Sequence, residues 1–115
     1  MPFVYIKVPA ARHAEVRDRT LEDGVAQALA DLRLGEVISS GESLGDSGAD
    51  GARRVAFHRI DVDVNDLVSA RALFQQVLPT LGAPVLTEVH YTENRLPMVD
   101  VYGPAGWTSG ATRRQ

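Results

Sequence analysis

A few residues in this chain are of types and spacings that could do chemistry. Removal of Met1 ahead of the small residue Pro2 would leave a free secondary amine at the N-terminus. An α-amino group titrates near 8, and burial beside cations lowers that further, so Pro2 could abstract a proton next to a carbonyl. Arg12, Arg53, Arg54 and Arg59 could then hold an anionic substrate. Asp61 and Asp63 alternate along one apolar run, and Glu88 and His90 along another. Brought together, they could offer two to four oxygen and nitrogen ligands to a metal. Their spacing matches no zinc pattern, however, and Ile60-Asp-Val-Asp-Val64 is what a solvated strand face looks like, so no metal is expected. His58 alternates with apolar residues and reads as a hydrogen-bonded core histidine, while His13 reads as exposed.

The glycines between Gly41 and Gly51 could be mistaken for a phosphate cradle. They precede a strand pattern rather than a helix N-terminus, so the anion-binding geometry is missing and a hairpin loop is expected. Tyr102 and Trp107 lie in a Gly- and Pro-bearing stretch. They read either as an arm packed on the sheet or as anchors for a partner.

Composition bounds these possibilities. The 115 residues give room for one domain, and the apolar fraction of 44% is ordinary for a globular core. Cysteine is absent, which excludes disulfides, thiolate metal sites and cysteine nucleophiles. A net charge of −3 argues against general nucleic-acid binding, which needs a basic surface to displace counterions. No apolar run reaches the length of a membrane span, and the start lacks the basic and long apolar regions of a signal peptide. Cytoplasmic residence without membrane contact is the expectation. Eleven of the twelve basic residues are arginine, a bias that suits coding by a GC-rich bacterial genome.

The elements that must position these residues follow from periodicity. Val4, Ile6 and Val8 alternate with Phe3, Tyr5 and Lys7 as in a half-buried strand, which Pro9 ends. Thr20 caps a helix whose stripe is Leu21, Val25, Ala28, Leu29 and Leu32, with Gly35 as its C′ residue. Glu36 to Leu44 holds a short second strand around Val37 and Ile38. Arg53 to Val64 is the longest strand pattern, with Ala56, His58, Ile60, Val62 and Val64 sharing a face. Asn65 or Asp66 caps a second helix carrying Leu67, Ala70, Leu73, Phe74, Val77 and Leu78, which Pro79 stops or kinks. Leu86 to Thr92 is a fourth strand, Glu93-Asn94 a turn, and Arg95 to Tyr102 a short edge strand. Residues 1–107 thus form one domain, and 108–115 read as a flexible tail.

Strand, helix, strand, strand, helix, strand is the order of an α+β, ferredoxin-like βαββαβ plait. Its antiparallel sheet would carry both helices on one face. The other face would hold Phe3, Tyr5, Lys7, Phe57, Arg59, Asp61 and Asp63, and must be solvated, covered or buried in an oligomer.

Two resemblances bear on function. The opening Met1-Pro2-Phe3-Val4-Tyr5-Ile6-Lys7-Val8, with Arg12 after it, resembles the 4-oxalocrotonate tautomerase family over about the first 34 residues. That resemblance implies Pro2 as catalytic base and Arg12 as a substrate-binding arginine; Arg59, outside the resembling residues, is a further substrate-binding candidate from its charge alone. The remainder shows no internal echo of the opening, as a repeated βαβ unit would require. Over most of the chain, Arg19-Thr-Leu-Glu-Asp23, Leu34-Gly-Glu-Val-Ile-Ser-Ser-Gly41, Ile60-Asp-Val-Asp-Val-Asn-Asp66 and Leu81-Gly-Ala-Pro84 with Thr87 resemble small bacterial ferredoxin-like proteins of unassigned function.

The sequence therefore carries two functional expectations. One is a non-catalytic binding or regulatory domain, of the kind that masks a protein partner as immunity proteins do, or a homodimer. Its contact face would be Phe3, Tyr5, Phe57, Arg59, Tyr102 and Trp107. The other is a cofactor-free isomerase acting through Pro2. If Pro2 is the base, intact mass should show Met1 removed, and an ultraviolet assay on small 2-keto acids should register turnover that Pro2→Ala abolishes. A retained methionine sinks that reading.

Overall fold

The computed structural model of the chain describes residues 3–9, 20–44 and 55–112. They form an α+β fold of two helices and one six-stranded, fully antiparallel open sheet. The elements run β1 (Phe3–Pro9), α1 (Thr20–Leu32), β2 (Gly35–Leu44), β3 (Val55–Val64), α2 (Leu67–Thr80), β4 (Glu88–Glu93), β5 (Leu96–Gly103) and β6 (Gly106–Thr112). In space the strands lie in the order β2-β3-β1-β4-β5-β6.

β1 is central, paired to β3 on one side and β4 on the other. Its alternation sets which way the sheet faces. Val4 and Ile6 are fully buried and pack with Ile60, Val62, Val64, Val89 and Tyr91 of the neighbouring strands. Val25 and Leu29 of α1 and Ala70, Phe74 and Leu78 of α2 join the same cluster. Both helices therefore cover one face, and among the described residues no helix covers the other.

Local chemistry explains the element ends. Asp66 is the N-cap of α2: its carboxylate accepts from the Val68 N–H at 3.1 Å and from the Ser69 hydroxyl. Asn65 instead ties down the end of α1, donating its side-chain amide to the Arg33 carbonyl and its backbone N–H to that of Leu34. Pro79 lies inside the last turn of α2, which runs on to Thr80 rather than stopping. Asn94 and Arg95, both at positive φ, make the two-residue turn between β4 and β5.

Three expectations need correction. Gly35 is not the C′ residue; Arg33 takes the left-handed conformation after α1, at φ 54. Gly35 opens β2, where a Cβ would lie 2.1 Å from the Asp63 carbonyl oxygen, so the close approach of β2 to β3 requires glycine. β2 also extends through Leu44, taking in the first part of the segment read as a loop. The tail expected from residue 108 is instead strand β6 as far as Thr112.

β6 is held from the helix layer. The Trp107 Nε1–H donates to the Gln75 carbonyl at 2.9 Å, and the Gln75 amide donates to the Ser109 hydroxyl. Beside it, Asp100 of β5 is wholly buried on the helix side. Arg71 of α2 grips it through two hydrogen bonds, 2.8 and 2.9 Å, and the Tyr91 hydroxyl donates at 3.0 Å. The Arg71 guanidinium also lies 4.2 Å from the Tyr91 ring centroid. Burial, with the bond to Asp100, pushes the Tyr91 phenol up to about 12.

Truncating one partner of such a pair strands the other charge in the interior. Arg71→Ala should therefore lower stability by about 3–5 kcal/mol in urea unfolding, whereas Tyr91→Phe should cost only about 1 kcal/mol.

Candidate functional site

The sheet face that no described helix covers is where the structure gathers chemistry-bearing side chains. Cross-strand register arranges them in three rows. The first is Glu36, Asp63 and Phe3; the second Ser39, Asp61, Tyr5 and His90; the third Gly41, Arg59, Lys7 and Glu88. A β-bulge at Ile38 keeps Ser39 in step with Asp61.

The middle of this face is a lateral stack. The Tyr5 and His90 rings lie parallel within 5°, centroids 4.5 Å apart. The Arg59 guanidinium sits 4.0 Å from the Tyr5 centroid. Arg59 also donates from Nε to Asp61 at 2.6 Å, and the Ser39 hydroxyl donates to the other Asp61 oxygen at 2.7 Å. On the far side His90 Nε2 is 2.7 Å from a Glu88 oxygen that lies 3.9 Å from Lys7 Nζ. Tyr5 is thus fixed between a cation and an imidazole, each held by its own carboxylate.

Burial raises the Asp61 pKa, but the hydrogen bonds from Arg59 and Ser39 and the arginine's charge outweigh it and hold the carboxyl below its ordinary value. The first row differs. Glu36 and Asp63 face each other directly, and neither makes a side-chain hydrogen bond or ion pair among the described residues. Like charges in register weaken a sheet. Phe3 stands beside Asp63 and is 43% exposed.

The residues expected to act together fall into three sets. Phe3, Tyr5 and Arg59 share the open face. Tyr102 and Trp107 do not: their rings pair with centroids 5.2 Å apart, and Trp107 reaches α2 on the helix side. They serve as the packed arm, not as part of that face. Pro2, Arg12, His13, Arg53 and Arg54 lie outside the described residues, as does the side chain of Phe57. His58 stands opposite Val8, on the helix side. Asp61 and His90 are neighbours of Tyr5 from opposite sides, so its ring separates them. No group of three His, Asp or Glu that could hold a metal occurs among the described residues.

The Tyr5–His90 stack and the buried Asp100 cluster were not foreseen. Tyr5 and His90 each show as outward residues of alternating strands, but their contact follows from β1 lying beside β4, which periodicity alone does not give. Neither described helix is long and apolar enough to cross a membrane. Set against family models, curated proteins and solved structures, the chain finds no match.

Because the Asp61 pKa is lowered in the folded state, its contribution to stability is present above about 3.9, the unfolded value, and is lost as pH falls through the folded value. Asp61→Asn should lower stability at neutral pH and flatten the acid limb of a stability-against-pH curve. An unchanged acid limb would show that Arg59 and Ser39 do not hold this carboxylate.

Proposed function

We propose that this chain is a small non-catalytic binding domain that works, in the cytoplasm, by presenting the open face of its sheet to another polypeptide. The observation that carries the proposal is the Arg59–Tyr5–His90 stack beside an exposed Phe3, on a face that no helix covers among the described residues. Side chains already locked by neighbours lose little rotamer freedom on contact, and aromatic and arginine groups dominate the energetics of protein interfaces.

The strand order supports a ferredoxin-like plait as the frame. β2-β3-β1-β4 with α1 and α2 on one side is its four-stranded arrangement, and the β5–β6 hairpin widens it. The electrostatics favour a partner with a basic surface. Glu36 and Asp63 repel each other until a cationic group settles between them, and a partner's arginine could do so against the Phe3 ring. Masking a basic protein, as an immunity protein masks a toxin, is the concrete form of this reading.

The test is capture from the native host with the wild-type domain and with Phe3→Ala and Glu36→Lys, all three shown folded by circular dichroism. A stoichiometric partner should bind the wild type, with Phe3→Ala weakening it by at least about 1 kcal/mol, roughly fivefold. A partner held equally well by all three proteins would place the binding surface elsewhere.

A further inference from the structure

The three rows of the open face are complementary to themselves. Phe3 and Asp63 make the first row on β1 and β3, Tyr5 and Asp61 the second, Lys7 and Arg59 the third. Consider a two-fold axis lying in the plane of contact and crossing the strands at the second row. It exchanges the first row with the third while keeping each strand over its own copy. Asp63 then meets the partner's Arg59, and Phe3 meets the partner's Lys7. Tyr5 meets the partner's Tyr5 at the axis.

We infer that a second copy of this chain covers the open face when no other partner does, packed sheet to sheet about this axis. The inference rests on the reading of that face as the working surface, and it supplies the regulation: self-pairing masks the surface that the partner must use.

Charge carries the choice of occupant. Each of the two symmetric contacts joins a carboxylate that has no ion pair among the described residues of its own chain to a cation. Each also lays an ammonium against an exposed aromatic ring. The Asp61 carboxylates that approach at the axis are the ones already neutralised by Arg59. Two twisted sheets pack face to face with their strands within about 30° of alignment, which keeps the rows in register near the axis. Isologous contacts of this kind are the commonest basis of homodimers.

The test is sedimentation velocity over a wide concentration range at low and high salt, on the wild type, Asp63→Asn, Asp63→Arg and Asp23→Arg. Asp23 is exposed in the first turn of α1, so its reversal changes net charge by the same amount without touching the sheet. The wild type should dimerise at low salt and dissociate more readily at high salt. Asp63→Arg should weaken the dimer by about tenfold or more, Asp63→Asn by less, and Asp23→Arg hardly at all.

At concentrations where the wild type is itself monomeric, the thermal midpoint of Asp63→Arg should hold or rise, because the substitution removes the repulsion with Glu36 inside the protomer. A fall in dimer affinity accompanied by lost stability would instead mark a folding defect and overturn the assignment. A chain that stays monomeric throughout overturns self-pairing and leaves the open-face reading to its own capture test. A dimer indifferent to Asp63→Arg also overturns the arrangement. If Phe3→Ala and Glu36→Lys then leave partner capture unchanged, the open-face reading falls with it.

Discussion

Everything in this fold is registered on seven residues. β1 is hydrogen-bonded along both sides, and its period-two alternation divides the molecule into a helix side and an open side. Val4 and Ile6 must face the helices, because leaving either in water would forfeit roughly 1.5–3 kcal/mol of burial. That demand fixes Phe3, Tyr5 and Lys7 on the reverse. A slip of one residue would exchange the two sets and place a lysine and a tyrosine beneath α1 and α2. The composition of the open face is thus a consequence of the core, while its particular side chains are free to serve contact.

The helix side solves a separate problem. Two short helices span a six-stranded sheet, and the apolar cluster thins toward β5 and β6. There the joint is polar. Arg71 closes on buried Asp100 with Tyr91 beneath, and Gln75 fastens β6 through its carbonyl and its side chain. Such a network is weaker per unit area than packed aliphatics, but it is directional. It holds the last hairpin in a single orientation on α2, which oily packing alone does not guarantee.

How far the sequence revealed this can be judged element by element. β1, β3 and both helices were legible because each is governed by burial on one face, which imprints a regular period. β6 was not. Gly106-Trp-Thr-Ser-Gly-Ala-Thr112 has one large apolar residue, and a register shift opposite Asp100 breaks its alternation. Its stability comes from hydrogen bonds to α2 that local pattern cannot display. Gly35 misled for a related reason: a glycine after a helix ordinarily signals a C′ turn, whereas here close approach to the β3 backbone demands it. The open-face residues could be named from alternation, but not their partners. That β3 and β4 flank β1 is a property of topology, and the Arg59–Tyr5–His90 stack depends on it.

That stack also bears on whether the face is built for contact or for chemistry. A reacting centre needs groups that converge on one small volume and keep some bonding capacity in reserve for substrate. Here the groups are laid side by side across three strands, with an aromatic ring between Asp61 and His90. Arg59 is committed to Asp61 and Tyr5, and His90 to Glu88 and Tyr5. Those commitments remove freedom of movement, which helps a surface that must match another surface and hinders one that must shuttle protons. Among the described residues of this face, charge is left unbalanced at the Glu36–Asp63 pair at the end of the array, beside the exposed ring of Phe3. Unpaired like charges in register persist only at a standing cost to the sheet. On the proposed binding role, the relief available to them is a cation brought in from outside the chain, and the first row, rather than the ordered centre, would be the part of the face that selects what binds.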